Sequence, residues 1–281
     1  MIGLSHPVFA HLPLAHRPWV LALAALLALA EFGWRRVSGR GYDTRATLTS
    51  LGVAAGQILL RPLNLAATTT ALSLVARLTP WQAPMNDWRW WLVGFVAVEF
   101  AYYWFHRFSH TVNWLWATHA VHHSARELVL PAAIRLGWTE FFSGGWLCFV
   151  PLVLLGLPPR MIAVLLAGNL TYQYLLHTEA VRRLGPLEWV LNTPSHHRAH
   201  HSCEAAYLDR NFGGVLIVFD RIFGTFREEP STGGLTYGLV HPLTSGNPLV
   251  VALSGWWAMA QGAARAVNPR SRLSVLFGPP V

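Results

Sequence analysis

Residues 89–123 read RWWLVGFVAVEFAYYWFHRFSHTVNWLWATHAVHH. The apolar, aromatic run 89–105 carries one acid, Glu99, and ends on His106-Arg-Phe-Ser-His110; His119-Ala-Val-His122-His123 follows. Positions i, i+3 and i+4 share one face of a helix. The HxxxH therefore presents two imidazoles side by side, and the HxxHH presents three, one turn apart. Glu99 lies seven residues before His106, hence about two turns deeper on the same helical face. An acid inside an apolar run is costly and usually paired, which predicts that Glu99 supports the histidines or pairs with an arginine.

The rest of the chain is built in the same way. Of its 281 residues, 53% are hydrophobic and 12% charged, about half the roughly 25% of a soluble domain. So little charge cannot cover a soluble globule of this length, and the mean hydropathy of +0.35 points the same way. Residues 18–34, PWVLALAALLALAEFGW, approach the roughly 20 apolar residues that cross a bilayer. Ala28-Leu29-Ala30 imitates a signal-peptide cleavage site. However, only Arg17 is basic before the run, while Arg35, Arg36, Arg40 and Arg45 follow it, the charge order of an uncleaved helix with its C-terminal end inside. Region 47–77, interrupted by Arg61-Pro62, reads as a kinked helix or a broken pair. Runs 128–155 and 161–176, joined by the turn LGLPPR, form a hairpin that leaves and returns. The polar interruptions of 249–264 suit an interfacial helix better than a span. The expected fold is an all-α polytopic membrane protein with about four to five transmembrane helices and a cytoplasmic, helical, His-rich cap. It divides into an N-terminal transmembrane region (1–88), a catalytic domain (89–230) and a C-terminal tail (231–281).

Net charge is +8, and every basic residue is an arginine. The arginines are spread thinly with no dense basic patch, which speaks against a nucleic-acid partner. Four of them crowd the loop 35–45. If 47–77 crosses once, that loop shares a membrane face with the histidines, and the positive-inside rule makes the face cytoplasmic, in a bacterial inner membrane. Cys148 and Cys203 form neither a CxxC motif nor a disulfide framework.

Ten of the 14 histidines fall between His106 and His201. Beyond the first two motifs, His177 stands at the end of the returning hairpin, and His196 precedes a second HxxHH formed by His197, His200 and His201. Imidazole binds iron, zinc, copper and nickel, and suits neither calcium nor magnesium. A single tetrahedral zinc needs four ligands, so the eight histidines of the motifs, with His177 as a ninth, fit two metals with open positions better. Open positions on iron suit oxygen chemistry. A zinc-dependent hydrolase would leave most of these histidines unexplained. A non-enzymatic metal-binding or transport protein would place polar groups deep within several spans, whereas here the histidines gather at one face.

EFAYYWFHRFSH, THAVHHS, the AIR of 133–135, NTPSHHRAHH and YLDRNFGGVLIVFDRIFGTF, all within 95–227, resemble the fatty acid hydroxylase/sterol desaturase superfamily of membrane di-iron enzymes. HTEAVRRLGPLEWVLNTPSHHRAHH is similar to the alkylglycerol monooxygenase-like branch in particular. The resemblance implies two iron ions held by His106, His110, His119, His122, His123, His177, His197, His200 and His201, with His196 and Glu99 supporting them and Glu179 and Glu188 as weaker candidates. Asp209, Asn211 and Asp220 fall in the family's tail motif, where turn and cap chemistry explains them as well as a site role does. The implied reaction is the O2-dependent hydroxylation or desaturation of a C–H bond in a lipid or sterol-like substrate. No haem, flavin or iron–sulfur motif is visible, so electrons come from an external electron-transfer protein. The branch uses tetrahydrobiopterin, tied to an acidic residue shortly after the second motif. Arg126 stands at that place here, so this residue does not carry the pterin expectation.

Overall fold

The computed structural model describes residues 18–232 and 234–280, and these contain eleven α-helices, α1–α11, joined by turns and short 3-10 segments, with no strand beyond two isolated bridges. The all-α expectation is met. Helices α1 (Pro18–Val37), α2 (Thr44–Ala76) and α3 (Trp88–Thr111) are the long ones. Asp43 and Asp87 cap α2 and α3, each accepting a backbone N–H of the first turn. Pro62 lies inside α2 without ending it, so region 47–77 is one continuous helix and not a pair. Its 33 residues make it roughly 50 Å long. Among the described residues, α2 is the one helix that is long and apolar enough, by length and composition, to cross a membrane. Large apolar side chains stand exposed along all three helices, among them Leu26, Leu29, Ile58, Leu63, Leu92 and Val96.

The segment 128–155 departs from expectation. It is not one outgoing helix but a series of short pieces: 3-10 turns at Leu130–Ile134 and Gly145–Phe149, and the helices α5 (Glu140–Ser143) and α6 (Val150–Leu154). Pro131, Gly137, Gly144 (φ 75°) and Pro151 interrupt any longer helix. The freed backbone groups are taken up by α2: Asn64 accepts the Phe141 N–H and donates to the Trp138 carbonyl. Trp138 Nε1 in turn donates to the Val53 carbonyl, and Gln57 donates to Glu140. The returning limb, α7 (Pro159–Tyr174), is regular. Leu72, Val98, Leu152, Val153 and Ile162 close a core between α2, α3, α6 and α7.

The remaining helices gather at the other end of α3. They are α4 (Asn113–His123), α8 (Pro194–His200), α9 (Val218–Ile222), α10 (Pro248–Arg265) and α11 (Pro269–Phe277). The second histidine motif thus lies on a helix, α4. Helix α10 packs on α4 and α2 through Val251, Val121 and Val53. Gly255 permits the close approach, since a Cβ there would stand 2.4 Å from the Ala117 carbonyl oxygen. The end of α1 and the loop after it join the same end: Arg35 pairs with Glu179 and Glu127, Arg40 pairs with Glu179, and Glu127 accepts the Asp43 N–H.

Candidate metal centre

Four elements bring nine imidazoles together in two groups. His106 and His110 of α3, His119 and His123 of α4, and His200 of α8 form one; His122 of α4, His177 after α7, His197 of α8 and His201 at its C-cap form the other. Within each group, one nitrogen from every ring lies within 4.8 Å of all the others. Each HxxHH serves both groups: its i and i+4 residues enter one, and its i+3 residue enters the other. His123 and His201 stack across the boundary, ring centroids 4.3 Å apart.

Backbone carbonyls aim the rings. The Nδ1–H groups of His106, His177 and His200 donate to the carbonyls of Phe212, Gln173 and Arg210, each at 2.8 Å. A carbonyl can only accept, so in these neutral rings Nε2 carries the lone pair. His177 Nε2 faces His122 Nε2 and His197 Nε2, both at 3.1 Å, and His197 Nε2 also faces His201 Nε2 at 3.1 Å. In the other group, His119 Nε2 faces His106 Nε2 at 3.1 Å and His123 Nε2 at 3.2 Å. One ring nitrogen offers one in-plane lone pair or proton, so it cannot bond two or three neighbours at once. Nitrogens about 2.0–2.1 Å from one ion stand roughly 3 Å apart, the spacing seen here. His110 Nε2 and His200 Nε2 are buried with no hydrogen-bond partner. Such an orphan costs about 1–3 kcal/mol unless something else meets it. Burial pushes the imidazoles of α4 and α8 below their ordinary range, and His177 and His200 down to about 4. They are neutral at physiological pH, as metal ligands must be. The residues present therefore fit two transition-metal ions.

The supporting residues divide differently from the sequence reading. His196 lies outside both groups, with its ring edge-on to Phe226 and its carbonyl accepting from Asn211. Burial lowers its pKa to about 4. Glu99 is fully buried, but its carboxylate accepts the N–H groups of Val215 and Leu216 and the Asn169 amide, and it hydrogen-bonds to no imidazole. Asn169 accepts from Gln173, whose carbonyl holds His177. Glu179 pairs with Arg35 and Arg40, and Glu188 accepts from Leu184 N–H and Thr193. Asp209 stands 3.6 Å from His110 Nδ1. Asn211, in the left-handed region at φ 57°, ties its loop to His196 and Arg227. Asp220 accepts the N–H groups of Phe212 and Gly213 and the Thr225 hydroxyl, fixing the loop whose Phe212 carbonyl orients His106. Asn169 and Gln173 were missed, although two amides four residues apart in the run 161–176 are a readable signal. The orienting carbonyls carry no side-chain signature. His6, His11 and His16 lie outside the described residues, and His241 is exposed and outside both groups.

A family model described as fatty acid hydroxylase matches residues 91–225. The alkylglycerol monooxygenase of Danio rerio is 42% identical over 231 residues, covering 80% of this chain and 50% of the relative. That of Homo sapiens is 45% identical over 172 residues, 61% of this chain and 37% of the relative. The ornithine lipid hydroxylase OlsE of Rhizobium tropici is 30% identical over 232 residues, 81% of this chain and 70% of the relative. The chain thus spans half or less of the alkylglycerol monooxygenases it matches. No solved structure matches it.

Proposed function

This chain belongs to the fatty acid hydroxylase family, within its alkylglycerol monooxygenase-like branch, and on that premise we propose that it is a membrane-bound di-iron oxygenase that hydroxylates a C–H bond of a lipid. The observation that carries the reading is the pair of buried imidazole groups. His106, His110, His119, His123 and His200 would hold one ion, and His122, His177, His197 and His201 the other. Bound iron would supply the activation of dioxygen and the oxidation of the C–H bond. The protein's own part is to hold and shield. Carbonyls of Phe212, Gln173 and Arg210 keep three Nε2 lone pairs turned inward. Trp116 covers His110 and His123, and Phe212 covers His106, His110 and His200. This apolar wall keeps water from the reacting groups.

We place α1, α2 and α3 across the bilayer and let 145–174 dip in and return, which together make the four to five apolar passes. The arginine-bearing end of α1 and the loop after it meet the His end of the molecule, so we place that end in the cytoplasm. Electrons would come from a separate protein.

The test is turnover under 18O2. Purified, iron-loaded protein with a chemical reductant and alkyl lipids should give an alcohol carrying the labelled atom. Protein that holds both metals yet yields no labelled product from any lipid would remove the oxygenase reading.

A further inference from the structure

Among the described residues, buried arginines are paired with carboxylates, with one exception. Arg35 meets Glu179 and Glu127, and Arg198 grips Glu229 at 2.6 Å. Arg135 is as buried as these, 4% exposed, yet among the described residues no carboxylate pairs with it and its Nε has no hydrogen-bond partner. An unpaired buried charge is costly enough that natural proteins supply a counter-charge. Arg135 lines a cavity of about 190 Å³ together with Arg45 and Arg126. Neither of these two makes a side-chain hydrogen bond or ion pair among the described residues. One carboxylate, Asp43, also lines the cavity, but it is engaged as the N-cap of α2 through Ala46 N–H. Three guanidiniums against one carboxylate leave two positive charges, and the first turn of the long helix α2 adds the positive end of its dipole. The Thr244 hydroxyl adds a further polar group to the lining.

We propose that this cavity is a binding site for a phosphate group. A carboxylate has one charge and two oxygens, too few for three guanidiniums. A phosphate monoester brings up to two charges and three terminal oxygens, and guanidinium forks match it. Two sources offer that chemistry: a lipid headgroup and free phosphate. The cavity opens at the N-terminal end of α2 and directly follows His122-His123 in the chain through Ser124 and Arg126. A lipid anchored there by its phosphate would lie next to the second imidazole group. That lipid assignment rests on the oxygenase function proposed above, whereas the phosphate site itself does not.

Calorimetric titration of the iron-loaded full chain in neutral detergent tests the site. The probes are dihexanoyl phosphatidic acid, the uncharged dihexanoyl glycerol and inorganic phosphate. Phosphate-bearing probes should bind, and Arg135→Gln and Arg126→Gln should each weaken them at least tenfold. Binding of the uncharged lipid should not change. Arg126 is exposed, so its variant reports on the site even if Arg135→Gln disturbs folding. Phosphatidic acid binding more tightly than inorganic phosphate identifies a headgroup site, and equal binding identifies a site for free phosphate. Absence of binding by both phosphate probes, or equal binding to wild type and both variants, overturns the proposal. Metal content is read on the same samples. Loss of phosphate binding with metals retained bears on this cavity alone, and missing metals with phosphate binding intact bear on the oxygenase reading alone.

Discussion

At the residue scale, the two imidazole groups make separable predictions. Replacing His122, His200 or His201 by Ala should abolish turnover and lower metal content, because each withdraws a nitrogen from a shared centre. His241→Ala should change neither, since that side chain is exposed and outside both groups. His196→Ala should lower activity or metal affinity on the order of 10–100-fold without emptying a site, as expected for a residue that acts through its neighbours. Loss of one whole metal from folded His196→Ala protein would make His196 a ligand and contradict the grouping. Asp220→Ala should leave the N–H groups of Phe212 and Gly213 and the Thr225 hydroxyl without their acceptor. Thermal unfolding should register a loss of about 2 kcal/mol or more. Metal affinity should fall with it, because the Phe212 carbonyl would no longer be fixed against His106. The histidines were legible because ligand spacing on a helix is written in the side chains themselves. Their orientation was not, because main-chain carbonyls supply it and every residue has one. The pull of Glu99 on the backbone at Val215 and Leu216 was equally invisible, since it joins positions more than a hundred residues apart.

At the element scale, apolar periodicity marked where helices run but not how they break. Region 47–77 left two readings open, and the continuous α2 shows that a single internal proline is tolerated when its neighbours keep the helical ladder. Segment 128–155 looked like a span by hydropathy, yet its glycines and prolines divide it into pieces that borrow hydrogen bonds from Asn64 and Gln57 of α2. Those are long-range contacts, which a window of sequence cannot contain. The packing of α10 on α4 was unreadable for the same reason. It makes a sharp prediction. Gly255→Ala would set a methyl 2.4 Å from the Ala117 carbonyl oxygen, so the two helices must separate. The melting temperature should drop, by an amount corresponding to about 1–3 kcal/mol. The helix that moves carries His119, His122 and His123, and metal content should fall in parallel. An unchanged melting temperature and metal content would show that α10 is not packed where we describe it.

At the scale of the whole molecule, a helical frame carries the two imidazole groups at one end, the end we place in the cytoplasm. Orientation is read by labelling. In a background lacking Cys148 and Cys203, single cysteines at Pro84, just before α3, and at Ala206, just after the histidines of α8, both exposed, should react from outside and inside respectively. Labelling of both from the outside would reverse the placement of the His end. The all-helical character and the gathering of the histidines were legible in advance because composition and histidine spacing bear on them independently. The division of nine histidines into five and four was not, because it depends on how α3, α4, α8 and the end of α7 meet. The central claim is that this division makes two metal sites. The measurement that addresses it most directly is the number of metals bound per chain in purified, iron-supplied protein, counted whatever the metal, because zinc can replace ferrous iron on imidazole during isolation. The account predicts two per chain in the wild type. One or none in folded, metal-supplied protein would contradict it.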